Sequence, residues 1–135
     1  YVYEMLVVDF LILNRDRHGA NIEVLRNSKE KTLRLAPVFD HGLSLLFSCQ
    51  TKKAVDEFDV MQDRQIQCFV GGNSAQKNLE LIPKKELPQF HPLKEEHRNE
   101  LLGGLEGIVP QYLLDKIWDM IWERWLYYED FCNQK

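Results

Sequence analysis

Asn14-Arg15-Asp16-Arg17-His18-Gly19-Ala20-Asn21 interrupts an almost wholly apolar run, Met5 to Leu13, and a second apolar run, Leu33 to Phe39, ends in Asp40-His41-Gly42. Between them, Asn21 to Leu25 and Thr32 to Leu35 alternate apolar and polar residues around Asn27-Ser28-Lys29-Glu30, the pattern of a β-hairpin. A hairpin there returns Asp40 beside the loop carrying Asp16 and Asn21, and turns two separate motifs into one site. Asp16, Asn21 and Asp40 offer carboxylate and amide oxygens. Such donors suit Mg²⁺, which takes one or two carboxylates together with phosphate oxygens.

Upstream, Tyr1 to Leu13 is apolar nearly all round, with Glu4 and Asp9 its only charges, and its length predicts a buried helix. Downstream, Gln50 to Gln67 is polar and without a clean period, a surface loop with a short helix. Gly71-Gly72-Asn73 forms a turn, and no Gly-Lys-Ser/Thr follows to make it a phosphate-binding loop. Asn73 or Ser74 caps a helix toward Ile82, which Pro83 ends. Lys84 to Phe90 is a connector. Pro92 opens a charged, exposed helix, Leu93 to Leu102, closed by Gly103-Gly104. Pro110 opens the last helix, which runs to about Phe131. On it Leu114, Trp118, Ile121, Trp122 and Trp125 fall on one face of a 3.6-residue period, and three tryptophans so spaced read as core. His91 and His97 read as surface residues. The predicted fold class is mainly α with a small β-hairpin (α+β).

The length, 135 residues, fits one domain, and 44% hydrophobic with 28% charged residues is the composition of a globular protein. A formal charge of −4 argues against direct nucleic-acid binding. Asn14 to Arg34 nevertheless carries six Lys/Arg against three acids, a local excess that suits an anionic ligand such as a nucleotide or belongs to a solvated hairpin. Three widely spaced cysteines, Cys49, Cys68 and Cys132, form neither a disulfide framework nor a zinc motif, which points to a reducing, cytoplasmic setting. No apolar run is long enough to span a membrane, and no membrane partner is expected. The chain starts at Tyr1, already inside an apolar pattern, and reads as cut from something longer.

Asp16-x-x-x-x-Asn21 followed by Asp40-x-Gly42 resembles the catalytic loop and metal-binding loop of the protein-kinase-like superfamily. The order Asp16-Arg17-His18-x-x-Asn21 is similar to two offshoots, the HipA-like serine/threonine kinases of toxin–antitoxin systems and the phosphoinositide kinases. The flanks Leu11-Ile12-Leu13-Asn14 and Leu35-Ala36-Pro37-Val38-Phe39-Asp40 look HipA-like, over roughly Val7 to Phe47. The resemblance implies the C-terminal helical lobe of such a kinase, residues 1–135 as one domain, with the N-terminal ATP-binding lobe absent from the chain. It implies ATP and Mg²⁺ as cofactors. Asp16 then orients the acceptor hydroxyl and takes its proton, and Asn21 and Asp40 bind the metal and nucleotide. His18 joins Asp16 at the cleft, as a hydrogen bond to phosphate or as a brace for the loop, and Arg17 anchors the loop. Expected partners are the missing first lobe or a separate chain supplying it, a protein substrate and an antitoxin. A lipid kinase of the phosphoinositide type is the rival enzyme, although Gln50 to Gln67 holds acids enough to offset its basic residues. The rival of a different class is a non-catalytic interaction module that keeps a kinase-like loop.

Overall fold

The computed structural model describes residues 1–19, 22–35 and 41–134. Helix α1, Val2–Leu11, buries Met5, Leu6, Val7, Asp9 and Phe10 against two later helices. It stops two residues before the predicted Leu13. The Asn14 amide reaches back to the Asp9 carbonyl at 2.8 Å, and Leu13 turns into the left-handed region at φ 50°. That conformation is uncommon for a leucine, and the side chain's burial at 1% exposure helps hold it.

One short strand lies within the first motif, two lie between the motifs and one follows the second. β1, Asp16–Arg17, continues directly from the turn. β2, Val24–Asn27, and β3, Thr32–Leu35, form the antiparallel hairpin in the register Val24 to Leu35 and Asn27 to Thr32. Asn27 makes the turn locally, because its Oδ1 accepts from the Lys29 and Glu30 amides at 3.0 and 3.2 Å.

Gln50 to Gln67 contains the short helix expected of it, α2, Lys52–Glu57, capped by Thr51 Oγ1 on the Ala54 amide. Its end is no free loop. β4, Gln67–Cys68, pairs in parallel with β1, Asp16 opposite Gln67 and Arg17 opposite Cys68. Gly71 follows at φ 73°, packed so closely on Asn78 that a Cβ would collide with it. Helix α3, Ala75–Leu79, is capped by Ser74, whose hydroxyl accepts from Lys77 N and donates to Asp63. Three-residue turns carry it on to Ile82.

Lys84–Glu86 is a single 3₁₀ turn. Helix α4, His97–Leu102, is shorter than the predicted Leu93 to Leu102, because the Lys94 amide bonds His97 Nδ1 instead of opening a helical ladder. Helix α5, Gln111–Gln134, is the spine. One apolar cluster gathers Leu6, Val7, Phe10, Leu79, Ile82, Trp125 and Tyr128 between α1, α3 and α5. A second gathers Leu13, Leu46, Val55, Phe58, Val60 and Met120 between α2 and α5. Of the tryptophan stripe, Trp118 and Trp125 are core, while Trp122 is half-buried and stacks on Trp118 at 5.8 Å. The fold is mainly α with a small β-hairpin, as predicted. The extra parallel pair joins the first motif to the chain beyond the second. Among the described residues no helix is long and apolar enough to cross a membrane.

Candidate active site

The loop is fixed from below. Arg17 is 1% exposed and forms a two-pronged pair with Asp9 of α1, Nε to Oδ2 at 2.8 Å and one terminal nitrogen to Oδ1 at 2.9 Å. Asn14, also buried, donates to the same Oδ1 at 3.1 Å and accepts from the Asp16 amide at 3.2 Å through its own Oδ1. Asn14 therefore transmits the position of α1 to the backbone of Asp16. The bond to Asp9 holds the Arg17 pKa above its ordinary value, against the opposing effect of burial. A carboxylate buried on the apolar face of a helix, as Asp9 is, is tolerable only because it is paired in this way. Arg17 is the loop anchor the sequence implied. Its partner Asp9 was not foreseen: a lone Asp inside an apolar run calls for a cation, but nothing in the run says which one.

Successive residues of a strand point to opposite faces. With Arg17 turned inward, Asp16 and His18 share the outward face, where His18 Nε2 lies 3.4 Å from Asp16 Oδ1. Their side chains are 25% and 42% exposed. The contact brings these two sequence-predicted residues side by side.

Asp16 opens on a cleft of about 460 Å³. Arg15 lines it from the loop, Leu43 and Phe47 from the segment after the second motif, and Gln65 to Gln67 from the approach to β4. Backbone bonds hold these three pieces together. Arg15 N donates to the Leu43 carbonyl at 2.9 Å, Leu45 N to Ile12 at 2.7 Å, and Gln67 and Phe69 N to the Arg15 and Arg17 carbonyls at 2.9 and 2.8 Å. The segment that starts with His41-Gly42 thus lies against the loop of Asp16, as a common site requires. Asn21 and Asp40 themselves lie outside the described residues. Among the described residues no three His, Cys, Asp or Glu side chains form a group able to hold a metal. The oxygen donors expected for Mg²⁺ are those two outlying residues, with Asp16 close in sequence to the first.

Sequence reasoning also missed Arg124. It is 1% exposed on α5, and it donates to the Val60, Phe10 and Gln62 carbonyls at 2.8, 2.9 and 3.3 Å. It ties the end of α1, just before the motif, to the stretch leading into β4. Burial pushes its pKa down to about 10, so it stays charged at neutral pH.

Serine/threonine-protein kinase CtkA of Helicobacter pylori (strain J99 / ATCC 700824) is 29% identical to this chain over 126 residues. The match takes in 90% of the chain and 36% of that protein, so the chain spans about a third of its relative's length. No protein-family model and no solved structure gives a match. The relationship is kinase-like.

Proposed function

We propose that the chain is the catalytic-loop lobe of a HipA-like kinase, which transfers the γ-phosphoryl of ATP to a serine or threonine of a protein. The observation that carries this reading is the Arg17–Asp9–Asn14 anchor, which holds Asp16, with His18 beside it, at a cleft that Asp16 lines together with the segment of the second motif. Phosphoryl transfer asks the protein mainly for positioning and charge neutralisation, and an anchored carboxylate beside an open cleft supplies the first. Asp16 orients the acceptor hydroxyl and takes its proton as oxygen bonds the γ-phosphorus. The bridging oxygen to the β-phosphate leaves with its electron pair as ADP. Asn21 and Asp40 would hold Mg²⁺, which when bound supplies neutralisation of phosphate charge. His18 steadies the Asp16 carboxylate. The phosphate-covering loop and lysine that such kinases need belong to a first lobe, on the same polypeptide or on a partner chain. The similarity to a serine/threonine-protein kinase supports a protein acceptor over a lipid.

Calorimetric titration of Mg²⁺–ATP into the chain and its Asp40→Ala variant tests the nucleotide half of this reading. The expected result is Mg²⁺-dependent binding weakened at least about tenfold by the substitution. In the full-length protein, Asp16→Asn should keep that affinity and lose transfer by about 10²- to 10⁴-fold. Equal ATP affinity of Asp40→Ala and wild type, or undiminished transfer by Asp16→Asn, overturns the assignment.

A further inference from the structure

The cleft beside Asp16 contains a cation whose job is not yet accounted for. Arg15 Nε donates to the Gln65 carbonyl at 3.1 Å, and its guanidinium lies over the Phe47 ring, 5.7 Å from the centroid. Those two contacts fix the plane of the group. Its terminal nitrogens have no hydrogen-bond partner, and no carboxylate lies within ion-pair distance, among the described residues. This differs from the other guanidinium of the motif, since Arg17 spends its donors on Asp9. A guanidinium held rigid with a pair of donors to spare is prepared for a two-pronged bond to a carboxylate, and less entropy is lost on binding than with a mobile lysine. Around it, Leu43 and Phe47 leave apolar surface exposed in the same cleft.

The geometry points to Arg15 as a specificity-determining residue that reads an acidic side chain on the acceptor segment. This rests on the kinase reading of Asp16. Arg15 and Asp16 are neighbours in the chain and line one cleft. A peptide lying extended there advances about 3.3 Å per residue, so the acid falls within about two positions of the serine or threonine held at Asp16. The exposed faces of Leu43 and Phe47 take an apolar residue of the same segment. The substrate class is then a serine or threonine flanked by an acidic and an apolar residue.

Fluorescence anisotropy with two labelled serine peptides, identical except for glutamates or lysines flanking the serine, tests this on the chain itself. The glutamate peptide is expected to bind about tenfold or more tightly, the worth of one well-formed charged pair. Arg15→Gln should abolish the preference and Arg15→Glu should invert it in favour of the lysine peptide, an outcome that mere loss of folding cannot produce. Far-UV circular dichroism of each variant checks the fold. Absence of binding by either peptide, or a glutamate preference that survives Arg15→Gln, overturns the inference. So does a titration in which Arg15→Gln loses Mg²⁺–ATP affinity while the peptide preference stays, because Arg15 would then serve the nucleotide. Failure of the kinase reading shows separately, as Mg²⁺–ATP affinity that Asp40→Ala leaves unchanged.

Discussion

Arg17 and Arg124 are sealed from solvent to the same degree, at 1% exposure, yet the protein accommodates their charges in opposite ways. Arg17 meets a carboxylate in a two-pronged pair, and its pKa rises. Arg124 meets three backbone carbonyls and stacks over Phe10 with its guanidinium 5.0 Å from the ring centroid. No carboxylate lies within ion-pair distance of Arg124 among the described residues, and burial lowers its pKa. The difference follows from what each one joins. Arg17 fixes one side chain to another over a few residues and so orients a loop. Arg124 gathers backbone from segments far apart in sequence, where no single carboxylate could reach all three.

The harshest break of that comparison is Asp9→Ala, which takes the two-pronged carboxylate partner away from buried Arg17. It should cost about 3–5 kcal/mol in urea unfolding. Asp9→Leu with Arg17→Met should recover most of that loss, because an apolar pair of similar volume needs no desolvation. Arg124→Met comes next. It strands three carbonyls but also removes a buried charge, and an expected cost of about 2–4 kcal/mol follows. Here pH sharpens the contrast. Folded Arg124 gives up its proton near 10, before the unfolded chain does, so the cost of burying the charge is present in full below about pH 10. It is relieved as the pH rises, and the wild type should gain about 1 kcal/mol on Arg124→Met between about pH 9 and pH 11. The smallest effect belongs to the exposed pair Arg98–Asp115. Its bond to Arg98, then that to Gln111, holds the Asp115 carboxyl below the usual carboxylate range. Asp115→Asn should cost under about 0.5 kcal/mol near neutral pH. That stability is present above the unfolded carboxylate value of about 3.9 and disappears as acid protonates the folded carboxyl, which thermal melts at descending pH would show.

What the sequence made legible was local. The hairpin turn could be read because Asn27 bonds amides two and three residues away. The α5 stripe could be read because its period repeats over several turns, although Trp122 proved only half-buried. Arg17 could be read as an anchor but not Asp9 as its partner, since the pair spans a helix end, a left-handed leucine and a strand. β1 and β4 have two residues each, too few to carry an alternation. Arg124 leaves no trace in a pattern of side chains because its partners are carbonyls, which every residue has. The candidate site was half legible. Asp16 lines a cleft and His18 lies beside it, Asn21 and Asp40 lie outside the described residues, and Arg15 gained a role only once its neighbours were known.

The bond from Arg15 to Gln65 closes a loop of fifty positions, whereas the β2–β3 hairpin closes within a dozen. Closing so long a loop costs on the order of 3–4 kcal/mol of chain entropy before any contact repays it. The helices and the hairpin can therefore assemble early in folding, and the cleft wall made by β1 and β4 joins late. In reverse order, the cleft is among the first parts to come undone, so a partly opened molecule would keep its helices while losing the place where an acceptor would bind.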